Sequence, residues 1–292
     1  HFGPTKNPHD PTLITGGSSG GSAGAVAIGV ADLGIGTDTG GSVRIPAALC
    51  GVVGYKPPYG RVPTDGVIPL APTLDHVGFI AKTVEDMVDI LSVVRLVPAE
   101  LQKPKQFRFA ILMGVTENTR HVEKAFWKAV ERLEAIGGTR DELFLETYRY
   151  SAARAAILLS EAAANYYHLL RGAGGHMGQD VFTLLSTGVA LPAVAYITAK
   201  KVKEEITDLF NMLFKKYDVI VSPTTATEAV PIDEASHLAV RHKLLAYTEL
   251  FNLTGHPAIT VPVPTGGPPV GLQIVAKDVE TLFTIAKAFE GP

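Results

Sequence analysis

Two glycine-rich segments near the start of the sequence carry the residues whose types and spacing could do chemistry. The first, GGSSGGS, covers residues 16–22, and the second, TDTGGSVR, covers residues 37–44. A hydroxyl nucleophile in acyl transfer needs small neighbours, so that a carbonyl can approach, and converging backbone N–H groups that hold the oxyanion. The second segment offers both, because Gly40 and Gly41 have no Cβ. We therefore expect acyl-transfer chemistry at the segment formed by residues 39–42.

Other uses of glycine-rich segments fit less well. Composition alone is typical of a flexible linker. A phosphate-binding P-loop requires a lysine after its last glycine, and the sequence has no lysine between Lys6 and Lys56. A dinucleotide fingerprint requires a strand before the glycines and an acidic residue about 20 positions later. Asp38 meets the second condition, but residues 11–15 make a poor strand, so nucleotide binding is a minor alternative.

Composition indicates a globular protein and argues against several partners. Hydrophobic residues make up 46% and charged residues 19% of the 292 positions. The net charge of −3 provides no basic field for nucleic acid, so a small or neutral ligand fits better. The apolar run at residues 23–35 is too short for a membrane span and contains Asp32. The nine histidines lack metal-ligand spacing, and we expect no metal.

A single cysteine rules out an internal disulfide. Cys50 lies in an apolar run, which favours a buried side chain over a reactive thiol. The absence of disulfides is compatible with a reducing compartment, and we expect a cytoplasmic protein.

Hydrophobic patterning alternates between the helical and the strand period, which predicts one α/β domain. Thr83 and Asp86 have capping-box spacing in front of an apolar helix pattern. A glycine- and proline-rich stretch at residues 265–269 separates two strand patterns, which predicts a hairpin-like pair. The patterning predicts helices over residues 22–33, 83–95, 122–136, 151–170, 197–216 and 281–289, and strands over residues 107–113, 217–222, 258–263 and 270–275.

These segments, together with further motifs, resemble the amidase signature family of serine hydrolases. The matching stretches follow the family order over nearly the whole chain, which makes chance agreement implausible. The motifs are FGPTKNP at residues 2–8, the segment at 16–22, GTDTGGSVR at 36–44, CGVVGYKP at 50–57, GRV at 60–62 and LDHVG at 74–78, with weaker matches at 222–224, 252–258 and 271–273.

The resemblance implies a fold, a triad and a set of supporting residues. The expected fold is a single α/β domain over residues 1–292, with a central mixed β-sheet covered by helices. The triad consists of a serine nucleophile, a second serine after a cis peptide bond, and a lysine, and it needs no cofactor. Carried over by position, the roles are Ser42 as nucleophile, Ser18 after Gly17 as the bridging serine, Thr39, Gly40 and Gly41 as the lining of the oxyanion hole, and Ser19, Asp38 and Arg44 as supports of the two loops.

The sequence departs from the family pattern at the lysine. The family's catalytic lysine lies on a segment that precedes the FGP motif, and this sequence begins after that point. Lys6 and Lys56 match family motifs outside the triad, so neither is assigned as the base. We expect the base to lie upstream of His1, so that residues 1–292 form an amidase signature domain that is incomplete at its N-terminus. Without a base Ser42 is a weak nucleophile, and the 292-residue chain alone should be nearly inactive.

The expected activity is hydrolysis of a linear carboxamide to the acid and ammonia or an amine through an acyl-enzyme on Ser42. A possible homodimer is the only protein partner implied. One alternative is the glutaminase-type A subunit of a tRNA-dependent amidotransferase, although residues 66–78 look more like stand-alone amidases. Another is a non-catalytic scaffold that keeps the fold without the lysine.

In this family the acyl pocket is shaped by variable segments outside the signature, which here include residues 101–191. Apolar side chains there permit an aromatic or aliphatic acyl group, but helix packing explains them equally well. His76 and His256 lie in apolar turns near matched motifs, where one of them could line the pocket, although a structural role is favoured for each.

Overall fold

The computed structural model describes residues 3–172 and 177–291, so Phe2 of the FGP motif lies outside the described residues. The described chain forms eight strands and ten helices. In chain order these are α1 (Gly20–Ala27), β1 (Leu33–Thr37), α2 (Arg44–Cys50), β2 (Val53–Lys56), β3 (Val77–Ala81), α3 (Val84–Val93), β4 (Phe107–Met113), α4 (Arg120–Ala135), β5 (Gly138–Phe144), α5 (Tyr148–Gly172), α6 (Gln179–Ala190), α7 (Ala193–Leu213), β6 (Val219–Pro223), α8 (Leu238–Leu245), α9 (Leu250–Thr254), β7 (Ala258–Val263), β8 (Val270–Ala276) and α10 (Val279–Glu290).

The eight strands form one mixed sheet in the order β1-β3-β2-β7-β8-β6-β4-β5. Strand β4 runs parallel to both β5 and β6, and the remaining neighbours are antiparallel. The hairpin expected around residues 265–269 is the β7–β8 pair, in which Thr260 lies opposite Gln273. The α/β fold with a central mixed sheet is therefore confirmed.

Helices cover both faces of the sheet, because alternate strand residues point to opposite sides. In β4, Phe109 and Ile111 join a core cluster with α3, α4 and α10. Ala110 and Leu112 join a second cluster with α5, α7 and α9 on the other face. All four side chains are buried, so β4 is an interior strand with apolar residues on both faces, as expected for parallel pairing.

Two helix predictions show how local signals succeeded and failed. Helix α3 begins where predicted, and its capping box is present, with the Asp86 amide donating to Thr83 Oγ1 at 3.0 Å. The prediction of a helix over residues 22–33 was wrong, because α1 ends at Ala27. Gly29 takes a left-handed φ of +75°, and Leu33 begins the edge strand β1. The small residues of this stretch gave no sign of that break.

Helices α1 and α2 pack against the β1–β3–β2 end of the sheet and hold the two glycine segments. Their contacts form a small cluster that includes Ala23, Val43 and Ala47. A Cβ on Gly54 of β2 would lie 2.6 Å from the Cβ of Ala47, so only glycine lets α2 approach this strand. The segment at residues 38–42 connects β1 to α2, and residues 16–19 lead into α1.

Over residues 3–172 and 177–291, no single helix has the length and hydropathy of a membrane span. Helices α6 and α7 reach that length and hydropathy only when they are taken together, and the chain bends by 95° between them.

Candidate active site

The fold brings the two glycine segments into direct contact. The Ser19 amide donates to the Ser42 carbonyl at 3.0 Å, which fixes the loop before α1 against the loop before α2. The Gly17–Ser18 peptide bond is cis, the form that the family resemblance implies. Ser18 is exposed and Ser42 is half-buried, so both residues are open to a ligand from outside. Ser19 also donates through its hydroxyl to the Thr37 carbonyl at 3.4 Å.

The loop at residues 39–42 presents backbone N–H groups, but not all of them are free. The Gly41 amide donates to Asp38 Oδ1 at 2.8 Å, so Gly41 has no N–H left for an oxyanion. The amides of Thr39, Gly40 and Ser42 have no acceptor within residues 3–172 and 177–291. Gly41 instead contributes a backbone turn with φ +127°, a region that favours glycine. Three donors of the loop are therefore available, and Gly41 shapes the loop that presents them.

A buried ion pair lies beneath this loop. Asp38 and Arg44 are fully buried, and Arg44 donates through Nη2 to Asp38 Oδ1 at 2.8 Å and through Nε to Oδ2 at 3.0 Å. Burial alone would raise the pKa of Asp38, but the Arg44 guanidinium holds it well below its usual value. Because Asp38 accepts from Arg44 and also from the Gly41 amide, the pair connects a charged core to the turn before Ser42.

Three further residues complete this network, and sequence reasoning gave none of them a role. Arg44 donates to Asn252 Oδ1 at 2.8 Å and to Gln273 Oε1 at 2.6 Å, while Thr248 donates through its hydroxyl to the Gly40 carbonyl at 2.7 Å. Asn252 and Gln273 lie in the weaker motif matches, which was the only available signal. They are more than 200 residues from Arg44 in sequence, so only the folded chain shows the contact.

A second acidic residue supports the loop from the other side. Thr39 donates through its hydroxyl to Asp75 Oδ1 at 2.6 Å. Asp75 Oδ2 accepts from the amides of Leu70 and Ala71 at 2.8 and 3.0 Å. The carboxylate therefore ties the segment at residues 70–75 to the loop with the free amides. Asp75 lies in the LDHVG motif, but its role at Thr39 was not predicted.

The family resemblance seen in the sequence extends over most of the chain. A family model described as Amidase matches residues 1–280. The chain belongs to the amidase family. It is therefore an enzyme of the amidase type, as the sequence predicts.

Curated relatives and solved structures cover nearly all of the chain. The A subunit of the glutamyl-tRNA(Gln) amidotransferase from a Geobacillus species is 37% identical over 98% of this chain and 68% of the relative. A crystal structure of an amidase superposes with a TM-score of 0.90 at 30% identity, over 99% of this chain and 69% of that one. The corresponding A subunit from Thermotoga maritima superposes with a TM-score of 0.85 at 32% identity, over 99% and 68% of the two chains.

The two lysines that the amidase motifs contain near the serines are engaged elsewhere or exposed. Lys56 is fully buried and donates to the His256 carbonyl at 2.7 Å. Burial, reinforced by the Arg44 cation, lowers the pKa of Lys56 well below its usual value. Lys6 is exposed and forms an isolated antiparallel β-bridge with Ile14. Within the described chain neither lysine donates to Ser18 or Ser42, in keeping with their exclusion as bases.

The two histidines singled out in the sequence have different surroundings. His76 lines a cavity of about 250 Å³ together with Tyr59 and Asp75, and its Nδ1 donates to the Leu74 carbonyl at 2.7 Å. His256 packs against the ring of Phe214 instead. Burial lowers the pKa of both side chains, to about 4 for His256. His76 thus faces a cavity, whereas the His256 ring lies against an aromatic side chain.

Proposed function

We propose that this protein hydrolyses a linear carboxamide through an acyl-enzyme on Ser42. The observation that carries the proposal is the loop at residues 39–42. It follows Asp38, which a buried cation holds in its charged form, and it presents three unpaired amides beside a half-buried serine. Such preorganised donors stabilise the charge that develops on a carbonyl oxygen, and each is worth about 100- to 1000-fold in turnover.

In the proposed reaction, Ser42 Oγ attacks the scissile carbonyl carbon and passes its proton to Ser18. Ser18 gives its own proton to a lysine. The amides of Thr39, Gly40 and Ser42 receive the oxyanion. When the tetrahedral intermediate collapses, the C–N bond breaks and the lysine proton returns through Ser18 to the leaving nitrogen. Water then attacks the Ser42 ester, which releases the acid and restores the serine.

The remaining parts of the proposal concern the chain around this site. We assign the role of the base to the lysine that precedes the FGP motif in the family pattern. Glycines flank the Ser18 loop, and the Ser19–Ser42 hydrogen bond joins it to the nucleophile loop, which supports Ser18 as the relay. The location is proposed to be cytoplasmic and the assembly a homodimer, with no nucleic acid, membrane or cofactor taking part.

A serine-directed fluorophosphonate tests the nucleophile directly. Full-length protein should be labelled on the peptide that contains Ser42, and Ser42→Ala should remove the label. Ser22→Ala is the matched control, because Ser22 belongs to the first glycine segment but its hydroxyl donates to the Ile35 carbonyl. Labelling that persists in Ser42→Ala, or that never occurs, would contradict the proposal. The 292-residue chain without an upstream lysine should react far more slowly than the full-length protein.

A second candidate function is the glutaminase-type A subunit of a tRNA-dependent amidotransferase. Its support is the name shared by the curated relatives at 32–37% identity. The stand-alone amidase remains preferred because residues 66–78 look more like stand-alone enzymes. Co-purification with a partner subunit, together with glutamine-dependent transamidation, would reverse that preference. Hydrolysis of simple amides by the isolated protein would support the stand-alone amidase.

A further inference from the structure

A partly buried arginine on α5 lies beside the candidate oxyanion loop. Arg154 Nη1 lies 3.6 Å from the position that a Cβ on Gly40 would occupy. Its Nη2 lies 2.7 Å from Glu249 Oε2, and the two side chains are only 13% and 6% exposed. Helix α5 therefore places a guanidinium group at the loop that we assign to the oxyanion. Arg154 also falls within the variable region where the family shapes its acyl pocket.

One donor of this guanidinium is unsatisfied. Arg154 Nε is buried, and it has no hydrogen-bond partner among residues 3–172 and 177–291. Buried polar groups are paired in the large majority of cases, and an unpaired buried donor is costly. By contrast, Arg44 of the buried ion pair uses Nε, Nη1 and Nη2 in hydrogen bonds. The unsatisfied donor thus belongs to the arginine whose Nη1 lies beside Gly40.

The charge around Arg154 indicates what kind of acceptor would fit. Glu249 neutralises the guanidinium, so the pair has no net charge. A substrate carboxylate would add a second anion next to Glu249, with no further cation to offset it, and like charges in a buried site repel. A neutral carbonyl oxygen accepts the N–H without that penalty.

We propose that Arg154 is a specificity-determining residue that donates to a second, neutral carbonyl oxygen on the acyl part of the amide substrate. This assignment rests on the proposed amide hydrolysis and names its substrate class. Glu249 is the positioning residue that orients the guanidinium and cancels its charge. The preferred substrates are therefore acyl groups with an additional ketone or amide carbonyl, rather than plain alkyl or carboxylate chains.

The test compares three amides that differ at one position of the acyl chain. Levulinamide carries a neutral ketone, pentanamide lacks it, and succinamate carries a carboxylate. Wild-type full-length enzyme should favour levulinamide over pentanamide in kcat/KM by about 10- to 100-fold, the range expected for a hydrogen bond to a charged group. The double variant Arg154→Met/Glu249→Met removes the pair without leaving a buried charge, and it should abolish this preference by lowering kcat/KM for levulinamide to the value for pentanamide.

Two further variants separate recognition from structure. Glu249→Gln leaves the positive charge of Arg154 without its carboxylate partner. The kcat/KM of this variant for succinamate should therefore rise relative to its kcat/KM for levulinamide. Arg149→Met is the matched control, because Arg149 lies on the same helix but its pair with Glu205 is exposed. It should leave all three rates unchanged.

The fluorophosphonate label on Ser42 distinguishes the two possible failures. Normal labelling without a levulinamide preference would overturn the role of Arg154 and leave amide hydrolysis standing. If the double variant lost kcat/KM equally for all three substrates, the pair would be purely structural, and this result would also overturn the assignment. Absence of labelling on the wild-type protein would remove both proposals together.

Discussion

Asn252 donates through its single amide nitrogen to both the main-chain carbonyl and the carboxylate of Asp38, at 2.7 and 2.8 Å. Its carbonyl oxygen accepts from Arg44 at 2.8 Å. One side chain from α9 therefore pairs with both members of the buried ion pair, 214 residues away from Asp38 in sequence. Because Asp38 also holds the Gly41 amide, Asn252 acts on the position of the Ser42 loop.

The first prediction concerns this amide. Asn252→Leu keeps the volume but leaves a buried Arg44 N–H without a partner and removes one donor each from the Asp38 carbonyl and carboxylate, which should lower the free energy of unfolding by about 2–3 kcal/mol. The loosened loop should reduce kcat by about 10- to 100-fold with little change in KM. Chemical denaturation and steady-state kinetics measure both effects. Asn165→Leu is the control, since Asn165 makes one exposed hydrogen bond to Leu70, and it should change neither quantity appreciably.

The second prediction uses the two adjacent glycines of the loop. A Cβ on Gly41 would overlap Thr248 Oγ1, would come within 2.7 Å of Ile45 Cδ1, and would sit on a backbone with φ +127°. A Cβ on Gly40 would make ordinary contacts, with Leu245 at 3.4 Å and Arg154 at 3.6 Å. Gly41→Ala should therefore lose several degrees in Tm, whereas Gly40→Ala should melt close to wild type. Equal melting temperatures for the two variants would show that the turn at Gly41 is not constrained.

The site residues show what a sequence can and cannot predict. Ser18, Ser42, Asp38 and Arg44 could be singled out because they lie in contiguous motifs that resemble the amidase signature, from which their proposed roles were carried over by position. The occupied Gly41 amide could not be foreseen, since it depends on which way the Asp38 carboxylate turns. Asn252 on α9, Gln273 on β8 and Asp75 in a loop gained roles only through contacts between segments that are distant in sequence.

The same contrast holds for the fold. Strand β4 and the β7–β8 pair were predicted closely because apolar runs and turn residues bound them locally. The edge strand β1 was not predicted, because its sequence, LGIGT, has little β propensity of its own. Its strand geometry comes from five paired positions along β3, a contact between segments that the linear pattern does not contain.

The third prediction concerns the hydroxyl of Thr39. Thr39→Val keeps the shape but removes the donor to Asp75 Oδ1, so the loop loses its tie to residues 70–75. A buried hydrogen bond to a carboxylate is worth about 1.5–3 kcal/mol, and we expect a fall in kcat of about tenfold or more. Thr39→Ser should restore most of the activity because it retains the hydroxyl. Thr187→Val, which removes an exposed bond to the Thr183 carbonyl, is the control. Full activity in Thr39→Val would mean that Asp75 does not hold the loop.

The fourth prediction is a pH dependence of stability caused by His256. Burial, with a smaller effect of the Lys56 cation, lowers the pKa of His256 from 6.5 to about 4 in the folded protein. The neutral ring is favoured on folding, so this contribution to stability is fully present above the unfolded pKa and is lost as pH falls from about 6.5 toward 4. The free energy of unfolding should therefore drop over that window by up to about 3 kcal/mol from this residue.

Urea denaturation of wild type and His256→Gln between pH 4 and 7 measures the effect. The difference in unfolding free energy between the two proteins should narrow as the pH falls, because glutamine does not titrate. His168→Gln changes an exposed histidine and should follow the wild-type curve. His76 is also buried with a lowered pKa. The free energy of unfolding of His256→Gln should therefore still fall as the pH is lowered, but less steeply than that of wild type. If the free energies of unfolding of His256→Gln and wild type differed by the same amount at every pH, folding would not lower the pKa of His256.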